Sequence, residues 1–274
     1  HLELYLAQLL GISIKKILTA ITISLILSGC TALNPLLYFE GESGDKTTLP
    51  VEVEELIEFA EYCNEVYEDR NENYEVKGEF SYTVKQSDGI SILVFRGTAN
   101  VQNVGTDIDL RPFKDSALSE YYYGVGPRNE LENVYLHRGF RSAASSIFDD
   151  IKKNYKLEKT VYLTGHSLGG AIAQIIGLWL NYDGYNVQIY TFGSPKVSTT
   201  FFGNKPSHYR VALRNDPVPF TPPWPFLHSG ISIDPETLDW EEGGEANRDS
   251  FTEIDGRDHS IGEYVDILKE RLKN

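Results

Sequence analysis

The chain has 274 residues, of which 41% are apolar, 12% aromatic and 24% charged, a globular composition and not a disordered one. Its 40 acidic against 25 basic side chains give a net charge of −15. Such a surface repels phosphate backbones, and the richest basic stretch, Lys152, Lys153 and Lys156, is too small for a nucleic-acid footprint. Two cysteines, Cys30 and Cys63, exclude a disulfide framework and a cysteine-rich zinc site.

No methionine occurs, even at position 1, so residues 1–11 are expected to lie upstream of the true start. Lys15 and Lys16 precede an apolar run from Ile17 to Leu27. That run is shorter than the roughly 20 residues a membrane-spanning helix needs, and has the length of a signal-peptide core. Leu27-Ser28-Gly29-Cys30 follows it and resembles a bacterial lipoprotein box, in which the cysteine becomes the acylated first residue of the mature protein. Residues 1–29 are therefore expected to be upstream residues and signal peptide. Residues 30–50, with Gly41, Gly44 and Pro50, read as the lipidated cysteine and a tether, and residues 51–274 as the folded domain. The expected place is the bacterial cell envelope, on the outer membrane or the outer face of the plasma membrane, with acyl chains contributing about 0.8 kcal/mol per buried CH₂.

From Val51 to Tyr67 the apolar spacing is helical, and Cys63 falls on the buried stripe. Phe80–Val84, a turn at Ser87-Asp88-Gly89 and Ile90–Phe95 read as a hairpin. A helix is expected over Arg141–Tyr155. Three short β-branched or aromatic runs follow at Val161–Leu163, Val187–Phe192 and Tyr209–Leu213, with an apolar helix, Leu168–Leu180, between the first two. An amphipathic helix, Ile261–Leu272, closes the chain. Strands alternating with helices require crossovers, hence an α/β fold with a mostly parallel central sheet flanked by helices.

Gly165-His166-Ser167-Leu168-Gly169 fits the pattern G-x-S-x-G, with a strand running into it and a helix leaving it. A serine on so tight a turn leaves no space for side chains two positions away, so both flanking residues must be glycine. The new helix also aims its first amides at the reaction centre. A nucleophilic serine needs a base and an orienting carboxylate, in the chain order Ser, acid, His. Asp216, in Arg214-Asn215-Asp216-Pro217, stands just past a strand end, although an Asp before Pro is also an ordinary turn residue. His208 comes before that acid. His228 and His259 both follow it and compete as bases on spacing alone.

These residues carry a resemblance to the fungal-type (class 3) lipases. Gly165–Gly170 resembles that family's elbow. Phe95-Arg96-Gly97-Thr98, His137-Arg138-Gly139-Phe140, Tyr190–Val197, Asn215–Pro219, Leu227–Gly230 and Asp258-His259 match in the family's order. The resemblance covers roughly Glu55 to Leu272 and implies an α/β-hydrolase with a short lid over its site. Position by position, it implies Ser167 as nucleophile, Asp216 as orienting acid and His259 as base, with His228 a structural loop residue. It implies an oxyanion hole at Thr98 and the backbone N–H of Leu168, and a lid over Ala99–Asp107 and the residues beyond, with Val101, Val104, Asp107 and Ile108 as its key positions. Asp107 falls where the family places an aspartate that positions the oxyanion residue.

The implied activity is serine carboxylic-ester hydrolysis of acylglycerol-type substrates, with a phospholipase or acyltransferase using the same three residues as the alternative and a non-catalytic lipid-binding scaffold as the remote one. No cofactor or metal is implied. The expected partners are a lipid or ester substrate and a membrane reached through the N-terminal anchor, with no nucleic acid. The oligomeric state is open. The chain departs from the family in two respects: Val104 and Gly105 stand where a lid tryptophan often occurs, and the fungal disulfides are missing. Trp224, Phe226 and Tyr121–Tyr123 are candidates for an acyl groove, with core or rim packing the plainer reading. The ten acids between 234 and 258 show no EF-hand spacing and read as a solvated loop.

Overall fold

The computed structural model describes residues 48–68, 75–77, 80–97, 109, 111–121, 133–243 and 259–273. The leader, Cys30 and all but the last residues of the tether lie outside these. Helix α1 (Val53–Glu68) opens the described domain with Glu54 and Glu55 in its first turn, where the helix dipole favours acids. Strands β1 (Glu75–Lys77), β2 (Phe80–Ser87) and β3 (Ile90–Phe95) follow. The β2–β3 turn has positive φ at both Asp88 and Gly89, 49° and 79°, a hairpin geometry whose twist matches that of the strands it joins.

Strands β4 (Pro112–Lys114) and β5 (Tyr135–His137) form a small antiparallel pair, with helix α2 (Ser116–Tyr121) between them. Helix α3 (Arg138–Asn154) then leads to β6 (Thr160–His166), α4 (Leu168–Tyr182) and β7 (Asn186–Phe192). Strands β8 (Ser207–Val211), β9 (Ile231–Ile233) and β10 (Trp240–Glu242) and helix α5 (Ile261–Leu272) complete the order. The large sheet runs β1-β2-β3-β6-β7-β8-β9-β10. From β3 through β9 neighbouring strands are parallel, while β1 and β2 at one edge and β10 at the other are antiparallel. This is the α/β-hydrolase arrangement, and its parallel centre carries β6, β7 and β8 to one common edge.

Two apolar clusters hold the layers. On one face α3 and α4 pack Ile147, Ile151, Ile172, Ile175 and Ile176 over Leu163 and Ile189, all buried. Each such side chain stabilises the fold by roughly 1.5–3 kcal/mol through burial. On the other face α1 and α5 cover Tyr190, Phe192 and Val211. There Phe59 stacks on Tyr190 at 3.9 Å, and Cys63 Sγ meets Thr164 Oγ1 at 3.2 Å. Cys63 is fully buried, and burial pushes its thiol up to about 12, consistent with a structural cysteine.

The structure differs from the periodicity reading in three places. Helix α3 begins three residues before Arg141, because His137 Nδ1 accepts the Phe140 N–H at 3.3 Å and caps it. Strands β4, β5, β9 and β10 have only three residues each, too few for alternation to register. The acid-rich stretch is not all solvated loop: Asp234 N–H bonds Asp239 O at 2.9 Å in the β9–β10 connection, and β10 itself contains Glu241 and Glu242.

Candidate active site

Strand β6 delivers His166, the chain turns at Ser167, and α4 starts at Leu168. Ser167 has φ 58° and ψ −129°, left-handed backbone that a side chain rarely adopts, so the turn holds local strain. Its tightness is steric. A methyl group at Gly165 would strike the carbonyl of Gly169, and one at Gly169 would strike the carbonyl of Phe95 at the end of β3. The elbow is thus wedged between the first turn of α4 and the neighbouring strand.

Two separate segments meet above it. His259, next to the N-cap residue Ser260 of α5, places Nε2 2.8 Å from Ser167 Oγ. Its Nδ1 lies 2.7 Å from Asp216 Oδ2 and 2.9 Å from Oδ1. Asp216 follows β8, its own N–H bonding Leu213 O at 3.2 Å, and its carboxylate also accepts from Val218 N–H at 2.9 Å and Tyr264 Oη–H at 2.6 Å. Ser167, Asp216 and His259 are 1%, 0% and 2% exposed, so these bonds form where water does not compete.

The bonding fixes the direction of proton traffic. A carboxylate accepts, so the imidazole donates through Nδ1 and offers the Nε2 lone pair to the serine hydroxyl. That tautomer can take a proton from Ser167 as the oxygen attacks, and the carboxylate then faces the imidazolium. Leu168 is the first residue of α4, and its N–H belongs to the helix-end amides that have no carbonyl partner within the helix.

The rival histidines are otherwise engaged. His228 Nε2 donates to Pro219 O at 2.6 Å, and His208 Nε2 pairs with Thr191 Oγ1 at 2.9 Å. Burial holds both imidazoles well below the ordinary histidine value. His166 is held low in the same way, by burial first and then by the adjacent His259, whose ring centroid is 4.5 Å away.

Thr98 and the lid positions Val101, Val104, Asp107 and Ile108 lie outside the described residues, as does Cys30. Of the groove candidates, Phe226 is buried against His137 and Trp224 is 78% exposed. Tyr121 packs edge-on against Tyr182, and Tyr122 and Tyr123 lie outside the described residues. Sequence reading missed Tyr264, which serves Asp216, and Tyr67, which contacts His166. Tyr264 is buried in the core face of its helix and Tyr67 packs half-buried against the same cluster, and nothing in the spacing distinguishes a hydroxyl with a task from packing.

Comparison with known proteins bears on the fold and on the segment around Ser167 and Asp216. A model of the family described as Lipase (class 3) matches residues 92–226, a span that holds Ser167 and Asp216 and ends before His259. The secreted mono- and diacylglycerol lipase 1 of Fusarium solani is 31% identical over 169 residues, 58% of this chain and 46% of that protein, so the chain spans about half of that relative's length. The solved triacylglyceride lipase of Rhizomucor miehei superposes with a TM-score of 0.51 at 21% identity, over 79% of this chain and 96% of that one. A lipase from Rhizopus microsporus var. chinensis gives 0.51 at 21% identity, over 77% and 85%. The two solved lipases share the fold described above. Over residues 92–226, with the motifs around Ser167 and Asp216, the chain is similar to the class 3 lipases, and it shares the fold of the two solved lipases.

Proposed function

We propose that the protein is a serine carboxylic-ester hydrolase, a lipase or esterase acting on acylglycerol-type esters. The observation that carries this reading is the unbroken bond chain from Ser167 Oγ through His259 to Asp216, with its 2.8 Å and 2.7 Å links. Ser167 Oγ attacks the ester carbonyl as His259 removes its proton. The N–H of Leu168 and the N–H and hydroxyl of Thr98 receive the oxyanion, each bond being worth about 2.7–4 kcal/mol in the transition state. His259 then protonates the departing alcohol, and water releases the acid from the acyl-enzyme with the roles of the imidazole reversed. The Fusarium solani relative, a mono- and diacylglycerol lipase by name, supports an acylglycerol as substrate.

The anchor belongs to the same reading. Basic residues, apolar core, small residues and Cys30 occur in lipoprotein order, which supports a lipid-held enzyme in a bacterial envelope. Metabolic labelling with a fatty-acid analogue should mark the wild type and not Cys30→Ser.

A fluorophosphonate probe tests the chemistry. The full chain should become labelled at Ser167, with Ser167→Ala unlabelled, and labelled Ser167→Ala would remove the nucleophile from the proposal. Product analysis on a diacylglycerol, a phospholipid and an ester with competing alcohol then separates lipase from phospholipase and acyltransferase.

A further inference from the structure

Tyr67, in the last turn of α1, stands at the junction of three segments of the site. Its hydroxyl lies 3.1 Å from Nδ1 of His166, the residue before the nucleophile, and accepts a hydrogen bond from the backbone N–H of Gly97, the residue before Thr98. The contact leaves no slack, since a methyl group at Gly97 would strike both Tyr67 Oη and the His166 carbonyl. The ring stands edge-on to His166 with centroids 5.6 Å apart, and the guanidinium of Arg96 lies over it, 5.5 Å from the centroid. His166 in turn packs its ring against His259 at 4.5 Å.

The donor directions follow from the partners. Burial pushes the phenol of Tyr67 well above its ordinary value, so it keeps its proton, and burial keeps His166 neutral. With Gly97 donating to the oxygen, the phenolic O–H is left to donate to Nδ1. The proton of His166 then resides on Nε2, the ring nitrogen that Tyr67 does not meet. One hydroxyl therefore ties the strand end that leads to the oxyanion residue to the turn that carries the nucleophile.

We propose that Tyr67 is a positioning residue for ester hydrolysis. Acting through Gly97 and His166, it holds the end of β3 at Gly97 in fixed register with Ser167 and backs the ring of His259. The proposal rests on the ester-hydrolase reading and adds to it a residue that touches neither the substrate nor the reacting atoms. Its effect belongs in kcat, because the register of an oxyanion donor matters most once negative charge has developed.

The test is a double-mutant cycle in the full chain, using Tyr67→Phe, His166→Leu and the pair together. A soluble p-nitrophenyl ester is the substrate, and rates are normalised to the molecules a fluorophosphonate titrates, so that unfolded protein does not count. Removing one direct oxyanion donor lowers kcat by a hundredfold to a thousandfold, so Tyr67→Phe, one bond removed, should lower it about tenfold to a hundredfold with KM within about twofold. The two single changes should be non-additive, the pair losing little more than His166→Leu alone. A third variant, His166→Asn, carries an amide oxygen near the place of Nδ1 and should retain more activity than His166→Leu. Unchanged kcat in Tyr67→Phe, strictly additive losses, or a loss confined to KM would overturn the proposal. A wild type that neither labels nor turns over overturns the ester-hydrolase reading itself, whereas a labelled wild type beside an unimpaired Tyr67→Phe overturns the positioning role alone.

Discussion

The hydroxyl of Tyr264 donates to Asp216 Oδ2 at 2.6 Å, on the same oxygen that His259 Nδ1 approaches at 2.7 Å. The other oxygen takes the Val218 N–H at 2.9 Å. The carboxylate is fully buried, so these donors replace the water it has lost and leave it one orientation. Tyr264 Oη also accepts the Leu213 N–H at 3.2 Å, so α5 fixes both the acid and the loop that carries it.

Tyr264→Phe should therefore reduce both rate and stability. Losing a hydrogen bond to a charged group costs about 1.5–3 kcal/mol of folding free energy. A carboxylate free to rotate orients the imidazole less well, and kcat should fall about tenfold, in line with the sensitivity of catalysis to small misplacements. Urea unfolding and titrated turnover measure the two effects separately. A variant with wild-type kcat would show that Val218 alone suffices to orient Asp216.

His259→Ala and His228→Ala make a second contrast. The first removes the only imidazole among the described residues that bonds Ser167 Oγ, and turnover should drop by roughly 10⁴-fold or more. The second leaves the Pro219 carbonyl without its donor at a buried position, at a cost of about 1–3 kcal/mol in stability, while titrated molecules keep most of their activity. The reverse ranking in titrated kcat would move the base to residue 228.

How much of this was legible in the sequence depends on the range of the signal. The elbow was readable because its cause is local: strand, glycine, serine and helix follow one another, and the steric demand acts over five residues. The long elements carried enough period to register, and Ile261–Leu272 forms over the expected residues. Asp216 and His259 were a different matter, since 43 residues separate them and their meeting depends on β8 and α5 folding against the same sheet edge. Spacing left His228 as a rival, and only the family resemblance favoured His259 before the distances did. Tyr67 and Tyr264 were invisible as functional residues, because a helical tyrosine packed against the core has the same signature whether or not its hydroxyl has work to do.

Gly169→Ala probes the wedge beneath the nucleophile. The added methyl group meets the Phe95 carbonyl, a backbone atom of β3 that cannot swing aside. Overpacking of this kind costs typically about 1–3 kcal/mol, and relief requires α4 to back away from the sheet. That shift displaces the Leu168 N–H together with Ser167, so the fluorophosphonate labelling rate should fall by more than the loss of stability accounts for. A variant with a lower urea midpoint and an unaltered labelling rate would place the strain away from the reacting serine.

The buried histidines set the acid limit of the fold. Burial lowers His137 from 6.5 to about 4 and holds His166, His208 and His228 well below 6.5. Each of these imidazoles binds a proton more readily in the unfolded chain than in the fold, so acid favours unfolding. Their contribution is complete above the unfolded value of about 6.5 and is lost as pH falls through it toward the folded values. The loss is about 1.4 kcal/mol per pH unit for each histidine in that window. Unfolding free energies from urea titrations at pH 7.5, 6.5 and 5.5 should decline with a slope of more than one proton. His228→Gln keeps a donor for Pro219 and cannot titrate, and it should reduce that slope by about one proton. A flat profile between pH 7.5 and 5.5 would mean that these imidazoles ionise inside the folded protein, against their burial and their single bonding partners.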